Sequence, residues 1–378
     1  MSVRWSALAL ALHLLLACAT PKLAPQTSAP PAPAADTDEA GLLMQMDRFE
    51  RDLAVAPDRI RDPALEAYLA ALTCRIAREH CPQIRVYILR QPFFNAAVGP
   101  NGMLLIWSGL LLRVEDEAQL AFAIAHEIGH YQLRHTLERW RKLKSTSNVA
   151  MALQVVTAGI GAGLIGAAAG LGANSALFAF SREQEHAADD FGLQRLRELS
   201  YDDRRASALW SAVWDEESAR EKRLRSSIFA SHPPSADRRD RLLAASRSNQ
   251  GERGAAAFKQ VVAAHRAHWL EDEIGRRHYG QTEVLLNRLS QLDFDRGEIA
   301  YARAEMYRRR AHAGDLDRAL LAYQESIKSP SVTPQSYRGL GLVLRQLRRP
   351  REAQAPLRQY LKRAPNAEDR AMVESWLQ

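Results

Sequence analysis

The sequence predicts an α+β fold. Residues 39–247 read as a mostly helical domain with a small β-sheet, and residues 250–378 as an all-α domain of tetratricopeptide-like repeats. Three observations lead there. Apolar residues three and four apart give most of the chain a helical period. That period breaks in "IRVYILRQPFFNAAVGPNGMLLIWSGLLLRV" (84–114), where short apolar runs are separated by Pro92 and the turn "GPNG", as in a small sheet or hairpin. Past residue 250 the pattern is helical and echoes itself after 34 residues, Ala319 and Tyr323 preceding Ala353 and Leu357.

The 378 residues suffice for two or three domains, and 47% hydrophobic with 25% charged residues is a globular composition. The net charge of +7 invites a nucleic-acid reading. However, the arginines are interspersed with acids, as in "RRAHAGDLDRA", and no basic strip is interleaved with aromatics. The excess reads as a solvated surface, with no nucleic-acid partner.

Taken in order, residues 1–18 have the layout of an export signal. Arg4 precedes an apolar run that ends in "LLAC" and is too short to span a bilayer comfortably. Cys18 resembles the lipidated cysteine of bacterial lipoproteins, with Ala19 after it favouring the outer membrane; an ordinary signal with an incidental cysteine is the other reading. Residues 19–38, rich in Pro and Ala, are expected to form an extended tether. Helical pattern begins near Glu39. A second helix opens at Asp62-Pro63 and carries Leu65, Tyr68, Leu69, Leu72 and Ile76 on one face. Cys74 and Cys81 would lie about 10 Å apart along an unbroken helix, too far to bridge. Pro82 stops the helix near Cys81, so the chain can turn back and close a Cys74–Cys81 disulfide, which suits an oxidising compartment.

A long helix is expected from Glu115. Residues 145–181 contain no charged side chain. They read as a packed, lid-like helical hairpin or as a segment that dips into a membrane or touches a partner. In the repeats, Tyr337, Leu340, Gly341, Leu344, Ala353, Leu357 and Pro365 occupy the large, small and terminating positions. Tyr360 stands where a small residue is usual. "EVLLNRLSQLD" suggests a degenerate third pair, and an unrelated helical bundle is the alternative.

The chemistry centres on "AHEIGH" (125–130). On a helix, His126 and His130 fall one turn apart on one face, so both imidazoles can reach one metal ion. Glu127 is rotated about 100° away, placed to handle a water rather than the metal. Gly129 costs the helix about 1 kcal/mol relative to alanine, which a close backbone neighbour would explain. A hydrolytic zinc site needs a third protein ligand. Glu185 in "FSREQEHAADDFG" is the candidate, with Asp189 one turn on to accept a hydrogen bond from a ligand imidazole.

Four stretches together resemble the gluzincin metallopeptidases that include the CAAX prenyl endopeptidase and the HtpX heat-shock protease. They are "NAAVGPNGMLLIWSGLL", "DEAQLAFAIAHEIGH", "SREQEHAADDFG" and "SHPPSADRRDRL", spanning roughly residues 60–245. An export signal and C-terminal repeats point to the periplasmic branch of that family. The resemblance implies a zincin-type fold, one zinc ion held by His126, His130 and Glu185, and Glu127 as general base. His232 matches a family histidine near the metal, which stabilises an oxyanion in an active state or caps the zinc in a resting one. Ala187 departs from the pattern, since an acid is usual there. His135 is expected at the surface and His186 pointing away from the metal.

The resemblance also implies a role in envelope protein quality control. Polypeptide substrates would be cleaved in the periplasm, and the repeats would engage the outer-membrane assembly machinery or a client. The strand at Met103–Trp107 is expected to offer an edge along which a substrate adds. The alternative is an adaptor or chaperone-like scaffold with a capped or silent metal site.

Overall fold

The computed structural model describes residues 37–146, 180–220, 232, 236–247, 250–292 and 295–377. The expected signal with Cys18, most of the tether and nearly all of the uncharged stretch 145–181 lie outside the described residues.

Helix α1 (Asp38–Ala54) starts where the Thr37 hydroxyl accepts a hydrogen bond from the Ala40 amide. Helix α2 (Pro63–Ala77) is capped by Asp62, whose carboxylate accepts the Ala64 and Leu65 amides, with proline at the first helical position. It buries Leu65, Leu69, Leu72 and Ile76, one helical stripe. The helix stops at Arg78, whose φ of 55° is left-handed, and a 3-10 turn (Arg78–Gln83) carries the chain back. That reversal brings the Cα atoms of Cys74 and Cys81 to 4.6 Å, and the two are joined by a disulfide.

Three strands follow: β1 (Arg85–Leu89), β2 (Ala96–Val98) and β3 (Met103–Trp107). Their order in the sheet is β1-β3-β2, with β1 parallel and β2 antiparallel to β3. This corrects the expectation that Met103–Trp107 is an edge. It is the central strand, paired on both sides, and the outer strand nearest the metal-motif helix is β2. All five residues of β3 are buried because the sheet is covered on both faces. Alternation divides them. Leu105 and Trp107 share a cluster with Leu42 and Met46 of α1 and with Leu137 and Trp140 of α5 (His135–Thr146). Leu104 and Ile106 belong to the main core with α2 and the next long helix.

After α3 (Ser108–Arg113), that helix, α4 (Glu117–Gln132), begins two residues later than expected, because Asp116 is its cap and accepts the Gln119 amide. Helix α6 (Arg182–Glu198) opens with a capping box between Ser181 and Gln184 and packs against α4. Two glycines permit the approach. A Cβ at Gly129 would lie 3.3 Å from Ala188 Cα, and one at Gly192 would lie 2.7 Å from the Phe122 ring. The helix cost of Gly129 therefore has a packing cause, and the approach sets Glu185 and Asp189 opposite the two histidines. Helices α7 (Arg204–Ser218) and α8 (Ala236–Ala245) pack on this pair.

The remaining helices are α9 (Ala255–Gly275), α10 (Tyr279–Leu289), α11 (Arg296–Arg310), α12 (Asp315–Ser326), α13 (Pro334–Gln346), α14 (Pro350–Arg363) and α15 (Arg370–Ser375). α11 packs with α12 and α13 with α14, in sequential pairs. Residue 250 does not mark a break in the packing. One apolar core runs from Leu65 to Val373, and α9 touches α2, α3 and α4 as well as α11. Buried Arg113, at the end of α3, reaches Glu216 at 2.7 Å and Glu273 of α9 at 2.8 Å. Among the described residues, no helix is long and apolar enough to cross a membrane.

Candidate metal centre

Four buried side chains converge between α4 and α6. His126 and His130 of α4 bring their Nε2 atoms to 3.0 Å. Glu185 of α6 places Oε2 3.5 Å from His126 Nε2 and Oε1 3.7 Å from His130 Nε2. His232 Nδ1 completes the group, 2.9 Å from Glu185 Oε1 and 3.2 Å from His126 Nε2. One donor atom from each residue falls within 4.8 Å of all the others. A tetrahedral zinc ion with nitrogen and oxygen ligands separates its ligand atoms by about 3.3 Å, a value that the separations above, 2.9–3.7 Å, bracket.

The chemistry of the donors fits a cation as well as the distances do. His126 Nδ1 lies 3.0 Å from Asp189 Oδ1, so that ring donates outward and turns a bare Nε2 lone pair to the centre. Burial, and then the neighbouring His126 and His232 rings, hold the His130 imidazole well below the usual histidine range. It is neutral and likewise offers a lone pair. The Nδ1 atom of His130 is 2.9 Å from Nδ1 of His135. Around the centre, the buried carboxyls of Glu127, Glu185 and Asp189 outnumber the one buried guanidinium, Arg238, surroundings suited to a cation.

Arg238 organises the outer layer. It clamps Asp189 with Nε at 2.9 Å and Nη2 at 2.6 Å. Its Nη1 stands 2.7 Å from Glu185 Oε2 as an ion pair, off the hydrogen-bonding direction. Its guanidinium also lies 4.1 Å over the Trp210 ring. Burial pushes the Asp189 carboxyl up, but Arg238 and His126 outweigh it and hold the group well below the carboxylate range. Glu185 is likewise lowered, burial being overcome by His232 and Arg238.

Glu127 faces the other way. Burial raises its carboxyl pKa, opposed by His232, His126 and a hydrogen bond from the Val98 amide of β2. His232 Nε2 is 3.6 Å from Glu127 Oε1, so this ring lies between the two glutamates. Burial lowers its pKa, but Glu185 and Glu127 win and raise it.

Of the residues singled out in the sequence, His126, His130, Glu185 and His232 meet at one point. Glu127 and Asp189 flank it, and Cys74–Cys81 is remote. His135 departs from expectation. It is buried rather than at the surface, because the left-handed Arg134 turns α5 back against the ligand ring. His186 points away, 3.4 Å from Asp237. Arg238 and Phe180, which stacks on His130 with ring centroids 4.0 Å apart, were missed. Nothing in the spacing separates Arg238 from Arg239 and Arg241, which pair at the surface with Asp240 and Asp190.

Residues 59–246 match the model of peptidase family M48. Through this domain the chain belongs to peptidase family M48. The mitochondrial metalloendopeptidase OMA1 of Schizosaccharomyces pombe is 31% identical over 159 residues, 42% of this chain and 45% of its own length. The beta-barrel assembly-enhancing protease of Escherichia coli K12 is 26% identical over 214 residues, 53% of this chain and 43% of its own. The human mitochondrial metalloendopeptidase OMA1 is 30% identical over 96 residues, 25% of this chain and 18% of its own. The chain thus spans less than half the length of these relatives.

Proposed function

We propose that this chain is a zinc-dependent endopeptidase of the bacterial cell envelope that cleaves misfolded or stalled membrane proteins, with its helical repeats binding a client or partner. The observation that carries the reading is the convergence of His126, His130 and Glu185 beside the buried carboxyl of Glu127. His126, His130 and Glu185 would hold the ion. Zinc bound there would supply Lewis-acid polarisation of the scissile carbonyl and of the attacking water. Glu127 takes a proton from that water as its oxygen bonds to the carbonyl carbon, then delivers it to the amine nitrogen as the C–N bond breaks. A carboxyl raised by burial is a stronger base than an exposed one, and the Val98 amide orients it. Once displaced from the cluster, His232 is placed to donate to the developing oxyanion.

The periplasm is the compartment proposed, with lipidation at Cys18 as the anchor. The Cys74–Cys81 disulfide supports an oxidising environment. For the repeats, residues 250–378, the paired helices α11–α12 and α13–α14 support a stacked surface that recruits protein, the outer-membrane assembly machinery included.

A second reading is favoured by one observation: His232 Nδ1 occupies the position a fourth ligand would take. A site capped in this way suits an adaptor or scaffold whose protease is silent. Cleavage of casein and of a misfolded outer-membrane protein, with and without a chelator and alongside Glu127→Gln, separates the two. Chelator-sensitive cleavage lost in Glu127→Gln supports the peptidase. Equal inertness of both proteins, with both able to support outer-membrane assembly, supports the scaffold.

A further inference from the structure

Helices α9, α11 and α13 open the successive C-terminal pairs and pack on one another, lining one face of the stack. A groove runs between them. Helix α9 contributes Ala267, Leu270 and Glu271 to it, and α11 contributes Glu298, Tyr301 and Glu305, each set at the three- and four-residue spacing of one helical face. The start of α13 closes the far side at Gln335.

The charges in this groove are unevenly matched. Glu305 is satisfied: it accepts the Tyr323 hydroxyl and pairs with Arg308 at 2.6 Å and Arg309 at 3.2 Å. That pairing also engages Arg309, the arginine that lines the groove. Glu298 is not satisfied. Its Oε2 is buried with no hydrogen-bond donor, 3.7 Å from Arg266 Nη1. Burial raises the Glu298 carboxyl pKa, Arg266 opposes this in part, and Asp295 adds to it. Glu271 is exposed on α9 and makes no ion pair among the described residues. Arg90, whose charge reaches Glu271, is tied to the neighbouring Asp272 at 2.7 Å.

We propose that this groove binds a partner protein through a lysine or arginine side chain, with the cation between Glu271 and Glu298 and the stem along Tyr301. The proposal rests on the reading of the C-terminal helices as a surface that recruits protein. Two carboxylates without a matching cation supply the charge complementarity. The Tyr301 ring face attracts the same cation, and its apolar body covers the methylene stem. An acidic segment is disfavoured, because the groove's arginine is already held by Glu305.

The test uses the full chain as Glu127→Gln, so that peptides are bound and not cut. Fluorescent peptides differ at one central position: lysine, arginine, norleucine or glutamate. By anisotropy, the lysine and arginine peptides should bind about tenfold more tightly than the other two. Glu298→Gln should weaken the lysine peptide about tenfold, and Glu271→Gln, at an exposed position, about threefold, with the norleucine peptide unmoved in both. Glu298→Gln also removes the carboxylate facing Arg266, so Ala267→Arg serves as a second probe. It places a cation at the exposed rim and should abolish the preference. A photo-cross-linking residue in place of Gln335 reports separately whether a peptide lies on the C-terminal helices. Cross-links formed with every peptide alike, with affinities unchanged in Glu271→Gln and Ala267→Arg, overturn the proposal and leave the recruiting surface standing. Tighter binding of the glutamate peptide likewise overturns it. No cross-link and no effect of the groove variants overturn both.

Discussion

The Nδ1 atoms of His130 and His135 lie 2.9 Å apart at the start of α5, buried together beneath the metal-ligand cluster. One of the two must donate. If His130 donates, its Nε2 carries the lone pair that faces Glu185, so His135 sets the tautomer of a ligand much as Asp189 does for His126. His135→Phe keeps the bulk and removes the acceptor. It should weaken zinc binding by about 10–100-fold in competition with a chromogenic chelator, with His135→Gln weakening it less. Zinc binding by His135→Phe at the wild-type level would remove His135 from the site.

Glu185 and Glu127 should separate in the same assay. Glu185→Ala loses zinc. Glu127→Gln retains it and loses about 10²–10⁴-fold in kcat, the range of a general base. Full zinc occupancy in Glu185→Ala would refute the ligand assignment.

Removing the ion should also cost stability. A ligand that binds only the folded state, present at a thousand times its Kd, stabilises by about 4 kcal/mol. Chelation is expected to lower the Tm of the wild type and of Glu127→Gln, and to leave Glu185→Ala unmoved. Equal shifts in all three would show that the ion lies elsewhere.

Glu273 joins α9 to the peptidase domain through Arg113. Burial pushes its carboxyl up, but Arg113 and Arg276 outweigh burial, and the folded pKa falls below the unfolded one. A depressed acid contributes stability that is present above its unfolded pKa, about 4.3, and is lost as the pH falls through the folded value. Glu273→Gln should therefore cost about 1–3 kcal/mol at neutral pH, because the buried Arg113 guanidinium keeps only Glu216 as a carboxylate partner. In urea unfolding, its difference from wild type should narrow below about pH 4. A difference that stays constant from pH 7 to pH 3 would contradict the ion-pair origin.

The Cys74–Cys81 bridge closes a short loop at the end of α2. Replacing both cysteines with alanine should lower stability by about 2 kcal/mol, the chain-entropy cost for a loop of this size. Reduction of the wild type should reproduce the loss, and a double variant as stable as the wild type would contradict it.

Much of the fold was legible because it is written in local periodicity. The stripe Leu65, Leu69, Leu72 and Ile76, the Asp62-Pro63 cap, and the switch of period at residue 84 each depend on residues within one or two turns. The edge assigned to Met103–Trp107 failed because strand order depends on pairings between distant segments, and a run buried on both faces has no polar alternation to mark its place. Arg238 was illegible for a related reason. Its neighbours Arg239 and Arg241 are the same residue type on the same helix, and only the direction of its side chain carries it to Asp189.

The sequence by itself determined the donor types, the four-residue spacing of His126 and His130, and the length and class of the helices, since helical geometry converts spacing directly into a shared face. Only the tertiary structure decided what meets what. The α4–α6 approach at Gly129 and Gly192 delivers Glu185 to the histidines, His135 is folded under His130, and the core continues past residue 250 into the C-terminal helices. Those outcomes depend on packing and burial between segments far apart in the chain, which spacing along it does not encode.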